Sequence, residues 1–283
     1  MRKKTLTLSI VIPVYNEQGY IDACLDAIAA QSEAPDEVLV VDNNSTDKTV
    51  HLARKYDFVT ILHEKRQGVR FARNTGFSAA KSDLIGRIDA DTRLTPEWCA
   101  QIRRLFAAKT DIAAATGSNV YYDLPLGKKD RNLVVDRILR RMVYGVGGMP
   151  LLYGSNMAIR KSAWDAIEED VCMEGDLYED YDVSIHLFEK AYSITYDKHM
   201  VARLSARRLD DRPADFIKNM SLHTKTFTHH GQKNRIASIS RLGYLSVYPA
   251  LKVMLRFYDE DKQRISIKKA ARKRSARPDA SHY

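Results

Sequence analysis

Strand-like and helix-like patterns alternate through the first third of the chain, and this alternation constrains the fold more than any other feature. Four short apolar runs rich in β-branched residues occupy residues 6–14, 37–41, 59–62 and 84–89. Apolar residues at helical spacing fill the intervals at residues 17–31, 48–56 and 68–80. Strands that alternate with helices pair in parallel and carry the helices on their faces. The sequence therefore predicts an α/β fold built on a mostly parallel sheet.

Polar clusters follow three of these predicted strands at the point where each strand ends. The clusters are Tyr15-Asn16-Glu17, Asp42-Asn43 and Asp89-Ala90-Asp91. Ligands of open parallel sheets bind beyond the carboxyl ends of the strands. We therefore expect the three clusters to face one crevice.

Asp89 and Asp91 are candidates for a cation site at that crevice. Hard divalent cations such as Mg²⁺ and Mn²⁺ prefer oxygen ligands and share them with phosphates. A lone Asp-x-Asp pair is more often a surface turn, and its position after the fourth strand is what favours the metal. Asp42 is a candidate acceptor for a nucleobase N–H or a ribose hydroxyl, with a turn or capping role as the alternative.

Basic residues cluster around Gly68, namely Lys65, Arg66, Arg70 and Arg73. Arginine holds diphosphate oxygens through two parallel hydrogen bonds, and a solvated helix face is the alternative. Arg73 is the predicted phosphate contact, and the others are predicted to be surface residues. The chain contains neither GxxxxGK[ST] nor GxGxxG, which excludes a P-loop and a dinucleotide fingerprint.

A second acidic cluster, Glu179-Asp180-Tyr181-Asp182, precedes an amphipathic run. Acidic residues at the start of a helix ordinarily complement the helix dipole. The functional alternative is a general base that takes the proton from an attacking hydroxyl.

Five segments together resemble, in the same order, the motifs of family 2 glycosyltransferases. They are SIVIPVYNE (9–17), VVDNNSTDKT (40–49), GVRFARNTG (68–76), IDADTRLTPEW (88–98) and EDYDV (179–183). The resemblance is dense over residues 8–100 and resumes around residues 153–190. It implies a GT-A-type, Rossmann-like, mostly parallel sheet flanked by helices. It also implies transfer of a sugar, with inversion, from a nucleotide-sugar, most simply a UDP-sugar, to an acceptor hydroxyl.

The resemblance also implies roles for individual residues. The nucleoside would be held by the turn containing Pro13, Tyr15 and Glu17 and by Asp42, with Arg73 nearby. Asp91 would bind Mn²⁺ or Mg²⁺ and the diphosphate, and Asp89 would contact the ribose or the metal shell. Asp180, paired with Glu179, would be the catalytic base. Gly154, Ser155 and Asn156 would meet the donor sugar and the acceptor, which is a glycan, a lipid-linked molecule or a small molecule.

Two features of processive polysaccharide synthases are missing from the sequence. There is no QxxRW motif, and no apolar run reaches 18 residues, so we expect no transmembrane helix and a non-processive reaction. In GT-A enzymes a carboxy-terminal histidine sometimes completes the metal shell. His223, His229 and His230 are the candidates, with an uncoordinated histidine as the alternative for each.

The second half is less regular than the first. Its patterns predict helices over residues 96–108 and 132–144, strands over 112–122 and 193–196, and an amphipathic stretch over 235–258. We expect a domain at residues 1–230, with a nucleotide-binding half at 1–100 and an acceptor half at 101–230. Residues 231–283 then form an amphipathic helical extension and a basic tail.

Most of the excess positive charge lies in that tail. The chain carries 45 Lys and Arg against 36 Asp and Glu, and residues 261–283 hold eight of the former and two of the latter, or +6 of the net +9. Such a block is usually solvated, and attraction to an anionic membrane surface is the alternative. Aromatic residues do not interleave these charges, so nucleic acid is not an expected partner. Residues 236–258 are read as a packing face, with a membrane-interface helix as the alternative.

The three cysteines, Cys24, Cys99 and Cys172, are widely spaced and form no CxxC motif. This pattern fits a reducing compartment and predicts no zinc site. We expect a cytoplasmic protein, with peripheral attachment to the inner face of the membrane as the alternative.

Two rival functions stay open: a sugar-nucleotide nucleotidyltransferase, which would release pyrophosphate, and a non-enzymatic basic protein that acts through its tail.

Overall fold

The first four strands and three helices alternate as the sequence predicts. In the computed structural model, which describes residues 5–124, 151–232, 235–259, 262 and 264–266, each predicted element forms within a few residues of its expected bounds. The strands are β1 (Leu8–Val14), β2 (Glu37–Asp42), β3 (Val59–His63) and β4 (Leu84–Arg87). The helices are α1 (Ile21–Ala29), α2 (Thr49–Ala53) and α3 (Val69–Ala79).

The central strands are apolar throughout because both of their faces are covered. In β1, Ile10 and Ile12 pack in one core, whereas Val11 packs in a second core on the opposite face. In β2, Val40 and Val41 divide between the same two cores. This two-residue period places successive side chains on opposite faces and explains the near-continuous apolar run of a buried parallel strand.

The second half adds strands and helices that the sequence predicts only in part. They are β5 (Arg93–Leu94), α4 (Trp98–Ala108), β6 (Ile112–Tyr121), β7 (Met157–Arg160), α5 (Lys161–Asp165), α6 (Glu179–Glu189), β8 (Ser193–Leu204), α7 (Pro213–His229), α8 (Arg235–Phe257), β9 (Tyr258–Asp259) and β10 (Arg264–Ile265). Short 3₁₀ turns form at Gly154–Asn156 and Arg207–Asp210. The late strand is longer than predicted because β8 pairs along β6, from Ile112–Ser193 to Tyr121–Leu204. The predicted helix at 132–144 lies outside the described residues.

Eight strands form the main sheet in the order β3-β2-β1-β4-β7-β6-β8-β5. The pairs β1–β2, β2–β3, β1–β4 and β6–β8 are parallel. β7 runs antiparallel to both β4 and β6, and β5 runs antiparallel to β8. The predicted α/β class with a mostly parallel, helix-flanked sheet is confirmed, and the antiparallel strands are its departure from a purely parallel one.

The C-terminal helix α8 packs against the rest of the chain. The Tyr248 ring stacks on Phe216 of α7 at 4.2 Å between centroids, and Leu255 is buried with Leu124 and Ala206. Lys252 Nζ donates to the carbonyl oxygen of Asp211 at 2.7 Å. These contacts support the packing-face interpretation of residues 236–258. Among the described residues, no helix combines the length and the apolarity needed to cross a bilayer. Most of the basic tail lies outside the described part of the chain.

Candidate active site

The polar clusters that follow β1 and β2 are tied together at one edge of the sheet. Asn16 adopts a φ of +54°, and its Oδ1 accepts hydrogen bonds from the backbone N–H groups of Thr46 (2.7 Å) and Asp47 (3.3 Å). Asparagine tolerates this left-handed conformation better than most residues do. The turn after β1 (residues 15–17) and the turn after β2 (residues 43–47) are therefore hydrogen-bonded to each other, and we call these two turns the wall.

Asp42 lies at the end of β2, as expected, and both of its carboxylate oxygens have partners. Oδ1 accepts from the backbone N–H of Ser45 at 3.1 Å, and Oδ2 lies 3.2 Å from Nδ1 of His63. The neighbouring Asn43 accepts from the backbone N–H of Gly68 at 2.7 Å. Asp42 and Asn43 thus brace the wall, and Asp42 is almost fully buried.

Arg87, at the end of β4, is the centre of the crevice and was not singled out in the sequence. Its Nη1 donates to Oδ1 of Asp180 at 3.0 Å. Its Nη2 lies 3.2 Å from Oε1 of Glu179 and 3.0 Å from Oδ1 of Asp89. One buried guanidinium therefore gathers the acidic pair at the start of α6 and the first aspartate after β4, which are some 90 positions apart.

Asp180 is held on both sides of its carboxyl group. Opposite the bond from Arg87, the backbone N–H of Gly154 donates to Oδ2 at 2.6 Å. Burial raises the pKa of the Asp180 carboxyl to about 7, and the like charges of Glu179 and Asp89 add to that effect. Arg87 and the Gly154 N–H act in the opposite direction. The result is a buried carboxyl group suited to accept a proton near neutral pH.

Gly154 must be glycine for this arrangement to form. A Cβ at that position would lie 1.0 Å from Nη1 of Arg87 and 2.4 Å from Oδ1 of Asp180. The absence of a side chain lets the backbone approach the ion pair closely. Ser155, the next residue, is partly exposed, and its carbonyl oxygen lies 3.5 Å from Oγ1 of Thr92, which follows the Asp89–Asp91 turn.

Arg207 is a second arginine at the crevice that the sequence did not reveal. Its Nη1 and Nη2 donate to the two carboxylate oxygens of Glu17 at 2.7 Å each, and its Nε donates to Oδ2 of Asp91 at 2.5 Å. Its guanidinium also lies over the ring of Tyr20, 4.3 Å from the centroid. The turn after β1, the turn after β4 and the 3₁₀ turn after β8 therefore meet at one side chain.

Asp89 and Asp91 differ in how far they are open to solvent. The side chain of Asp89 is 40% exposed although it pairs with Arg87, whereas that of Asp91 is 12% exposed beside Arg207. With Glu17, Glu179 and Asp180, they place five carboxylates around Arg87 and Arg207, and the charge of Arg208 also acts on Asp89 and Glu179. Oxygen-rich, negatively charged surroundings of this kind suit a hard divalent cation.

Two predicted site residues, Arg73 and Asn156, are buried in the structure, and their contacts with donor or acceptor stay predictions. Arg73 is 1% exposed, its Nη1 donates to the carbonyl oxygen of Glu179 at 3.2 Å, and its guanidinium lies 5.5 Å from the Trp164 ring centroid. In this position it supports the start of α6. The fully buried amide of Asn156 accepts from Trp98 Nε1 at 2.8 Å and donates to the Met200 carbonyl oxygen at 3.0 Å. Asn156 therefore joins the helix that carries Trp98 to the strand that carries Met200.

The three candidate histidines have different environments. His223 packs against the rings of Tyr178 and Tyr181, at 4.4 and 4.9 Å between centroids. His229 is exposed at the end of α7. Nε2 of His230 lies 2.9 Å from Oδ1 of Asp182. These contacts agree with the alternative of histidines that do not complete a shell at Asp91.

A family model for glycosyl transferase family 2 matches residues 9–167, more than half of the chain. The chain belongs to glycosyltransferase family 2. The matched region contains Arg87, Asp89, Asp91 and Gly154, whereas Asp180 and Arg207 lie beyond it. The predicted family is confirmed, and membership favours it over the two rival functions.

Relatives and solved structures agree with this family and fold. The chain is 35% identical over 128 residues to glycosyltransferase AglE of Haloferax volcanii, a match that covers 42% of this chain and 41% of AglE. Its fold is similar to that of mannosyltransferase PcManGT from Pyrobaculum calidifontis, solved with GDP-Man and Mn²⁺ (TM-score 0.60, 18% identity, 89% and 84% of the two chains). It is also similar to that of glucosyl-3-phosphoglycerate synthase from Mycobacterium tuberculosis, solved with Mn²⁺, UDP-Glc and phosphoglyceric acid (TM-score 0.57, 19% identity, 81% and 81%). These likenesses show a GT-A-type fold. The sequence matches span only 33% and 41% of two curated relatives.

Proposed function

We propose that the protein is an inverting, non-processive glycosyltransferase that moves a sugar from a nucleotide-sugar to an acceptor hydroxyl. The observation that carries this proposal is the ion-pair cluster of Arg87, which brings the acidic pair Glu179-Asp180 and the aspartate Asp89 to the same point of the crevice. A base and a diphosphate site must lie on either side of the same anomeric carbon for a single in-line displacement. The arrangement supports the proposal, because it holds the proposed base and the proposed diphosphate site close together on fixed elements of the fold.

Asp180 is the proposed general base. A base that removes the proton of an acceptor hydroxyl works best with a pKa near the operating pH, and burial brings the pKa of Asp180 to about 7. The hydrogen bonds from Arg87 and Gly154 fix the orientation of its carboxylate. Glu179 shares Arg87 and is proposed to assist by charge and position.

Asp89 and Asp91 are the proposed ligands of a divalent cation, Mn²⁺ or Mg²⁺. The clustered carboxylates and the exposed side chain of Asp89 fit such an ion. Two similar folds were solved with Mn²⁺, which supports the same choice. When bound, the ion would supply positive charge to a departing nucleoside diphosphate. Arg207 holds Asp91 in place from the side of Glu17.

The wall formed by the turns after β1 and β2 is the proposed nucleoside site. It contains Tyr15 and Glu17, while Pro13, predicted in the same turn, lies in the last part of β1 opposite Val41; Asp42 supports the turn after β2. The similar folds bind GDP-Man and UDP-Glc in their respective structures, so a nucleoside-diphosphate sugar is the proposed donor, with UDP-sugars first. The acceptor is proposed to meet the opposite side of the crevice, near Gly154 and Ser155.

A donor screen tests the proposal. The full chain is incubated with UDP-, GDP- and dTDP-sugars, Mn²⁺ or Mg²⁺ and a panel of glycan, lipid-linked and small acceptors, and released nucleotide is measured. We expect nucleoside diphosphate as the product, an anomeric configuration opposite to that of the donor, and addition of a single sugar. Release of pyrophosphate would instead indicate a nucleotidyltransferase.

A matched pair of variants tests the base. Asp180→Asn keeps the shape of the side chain and removes the basic oxygen, so we expect transfer to fall by roughly 10²–10⁴-fold while donor binding is largely kept. Asp176→Asn changes an exposed acid before the same helix, whose partner is Lys225, and should leave transfer unchanged. Near-normal turnover of Asp180→Asn would rule out this base.

Association with an anionic membrane surface through the basic tail is a separate, weaker part of the proposal. It is motivated by the charge of residues 261–283 and by a lipid-linked acceptor as one option. Co-sedimentation of the full chain and of a chain ending at residue 260 with phosphatidylserine vesicles measures it. Equal sedimentation of the two chains would show that the tail does not contribute to membrane binding.

A further inference from the structure

A compact group of metal-ligand side chains lies outside the Arg87 crevice. Cys172, Asp182, His186 and His230 each offer one ligand atom, and these four atoms all lie within 4.8 Å of one another. They come from three separate parts of the chain: the segment before α6, the first two turns of α6, and the residue that follows α7. We call this group the Cys172 cluster.

We propose that the Cys172 cluster is a structural zinc site with four protein ligands. One thiolate, two imidazole nitrogens and one carboxylate oxygen form a donor set that zinc favours, and a site with four protein ligands is typical of structural zinc. The cysteine spacing alone gave no indication of it, because no two of the four ligands form a CxxC or HxxxH pair.

The distances between the ligand atoms fit a tetrahedral ion. Sγ of Cys172 lies 4.0 Å from Nε2 of His186 and 3.9 Å from Nε2 of His230. Oδ1 of Asp182 lies 3.4 Å and 2.9 Å from the same two nitrogens. Bond lengths of about 2.0–2.3 Å in a tetrahedral zinc site correspond to separations of roughly 3.3–3.6 Å between ligand atoms. These four separations lie within about 0.5 Å of that range. All six lie within 4.8 Å, so movements of up to about 1 Å would complete the site.

The ligands are also held by further contacts of the kind that surround protein metal sites. Oδ2 of Asp182 accepts from the backbone N–H of Cys172 at 2.9 Å, which leaves Oδ1 for the ion. Nδ1 of His186 lies 3.6 Å from Oε2 of Glu189, while its Nε2 faces the cluster. A carboxylate behind a histidine ligand orients the ring and favours metal binding through the other nitrogen. Asp182, His186 and His230 are shielded from solvent.

The donor set separates this site from the one proposed at Asp89 and Asp91. Sulfur and imidazole ligands disfavour Mg²⁺ and favour zinc, whereas carboxylates alone favour Mg²⁺ and Mn²⁺. An ion here would join the segment before α6 and the end of α7 to the helix that begins with Glu179 and Asp180. The site is thus placed to fix the start of α6, and it stands independently of the proposed reaction.

Metal analysis of the untagged full chain tests the proposal. The protein is purified without chelator, its zinc content is measured by mass spectrometry, and cobalt is then exchanged into the stripped chain. We expect stoichiometric zinc and a sulfur-to-cobalt charge-transfer band. We also expect the thermal midpoint of the stripped chain to rise with zinc concentration, because an ion that binds only the folded state stabilises it.

Matched variants locate the ion. Cys172→Ser and His230→Gln should lose the charge-transfer band, whereas Cys99→Ala and the neighbouring His229→Gln should keep it. Asp91→Asn should also keep it, which separates this site from the crevice. The proposal is overturned if the wild-type chain binds no zinc and shows no zinc-dependent shift, since the four side chains then form a hydrogen-bonded cluster only. Persistence of the band in Cys172→Ser overturns it as well.

Discussion

Arg207 donates hydrogen bonds of 2.7 Å to both carboxylate oxygens of Glu17, a residue 190 positions earlier in the chain. The same guanidinium reaches Oδ2 of Asp91, so it binds acids from two different turns. Planar bidentate pairing of this kind is specific to arginine. The segment that follows β8 is thereby fixed against the segment that follows β1, and Arg207 makes the bonds that join them at this side of the crevice.

Replacing Arg207 should destabilise the fold. Arg207→Gln removes the guanidinium that pairs with the buried Glu17 and with Asp91, and removal of one member of a buried pair costs about 3–5 kcal/mol. Arg212→Gln, in which an 82% exposed side chain loses its pairing with Asp215, should change stability by less than about 1 kcal/mol. Urea denaturation measures both. A double variant with Glu17→Gln should recover part of the loss, and equal losses in the single and double variants would contradict the pairing.

Gly154→Ala should reduce the rate of transfer. The added methyl group would occupy the position of Nη1 of Arg87, so either the arginine or the backbone must move away from Asp180. We expect turnover to fall by at least roughly tenfold to a hundredfold, or about 1.4–2.8 kcal/mol. Gly231→Ala is the control, because that glycine also has a demanding conformation (φ +67°) but has no atom within 4 Å of an added Cβ. Full turnover of Gly154→Ala would show that the close approach is dispensable.

Arg87→Lys should lower turnover although it keeps the positive charge. A single ammonium group cannot reproduce the separate contacts of the guanidinium with Asp180, Glu179 and Asp89. The expected loss in kcat is roughly tenfold or more. Arg104→Lys changes an exposed arginine paired with Glu97 and should have no effect. Steady-state kinetics of the wild type and the two variants measure this difference. A kcat of Arg87→Lys equal to that of the wild type would show that the contacts of Arg87 are not needed for turnover.

Asp91→Asn should weaken nucleotide binding only when a divalent cation is present. Asp91 would help to hold the proposed ion, and the ion would supply positive charge to the diphosphate, so loss of this carboxylate should lower the affinity for the ion and, with it, for the nucleotide. Titration calorimetry with UDP, with and without Mn²⁺, measures the difference. Asp57→Asn, an exposed change just before β3 at the opposite edge of the sheet, is the control. Identical Mn²⁺-dependent affinities in Asp91→Asn and the wild type would exclude this ligand.

His223 should make the protein less stable in mild acid. Burial lowers its pKa to about 3 from an unfolded value of 6.5. Between these values the unfolded chain binds more protons, so stability falls as the pH decreases below 6.5, by at most about 1.4 kcal/mol per pH unit. Its buried Nε2 has no hydrogen-bond partner in the described part of the chain. His223→Phe should flatten this dependence in urea denaturation from about pH 7.5 to about pH 5, whereas His229→Gln should not. An unchanged slope would contradict the depressed pKa.

The sequence predicts the part of the crevice that follows β1, β2 and β4, because the position of each residue there depends only on the strand directly before it. The carboxyl end of each parallel strand lies on the same edge, so the strand patterns alone place Asp42 and Asp89 correctly. The bounds of the first four strands follow from the same reasoning, since continuous apolar runs are what strands buried on both faces require.

The remaining parts depend on contacts between distant segments, which periodicity does not encode. Arg87 lies inside an apolar strand pattern, where a single charged residue does not indicate a function. Its role depends on a contact with Asp180, which is 93 positions away in the sequence. Arg207 follows a strand whose length was underestimated, and its partners lie 116 and 190 positions earlier. Motifs predict ligand contacts for Arg73 and Asn156, and the structure shows in addition that both side chains are buried and bonded within the fold. A polar residue within a motif can therefore also hold the site together.

The Asp89–Asp91 turn is anchored at both of its ends. β4 ends at Arg87 and β5 begins at Arg93, and both strands belong to the same sheet although three other strands lie between them. Fixing the backbone of one residue costs about 1–2 kcal/mol of conformational entropy. For the turn between β4 and β5, this entropy is already lost when the chain folds and is not lost again when a ligand binds. A ligand that binds Asp89 and Asp91 therefore meets preorganised carboxylates, and more of its interaction energy is kept as affinity.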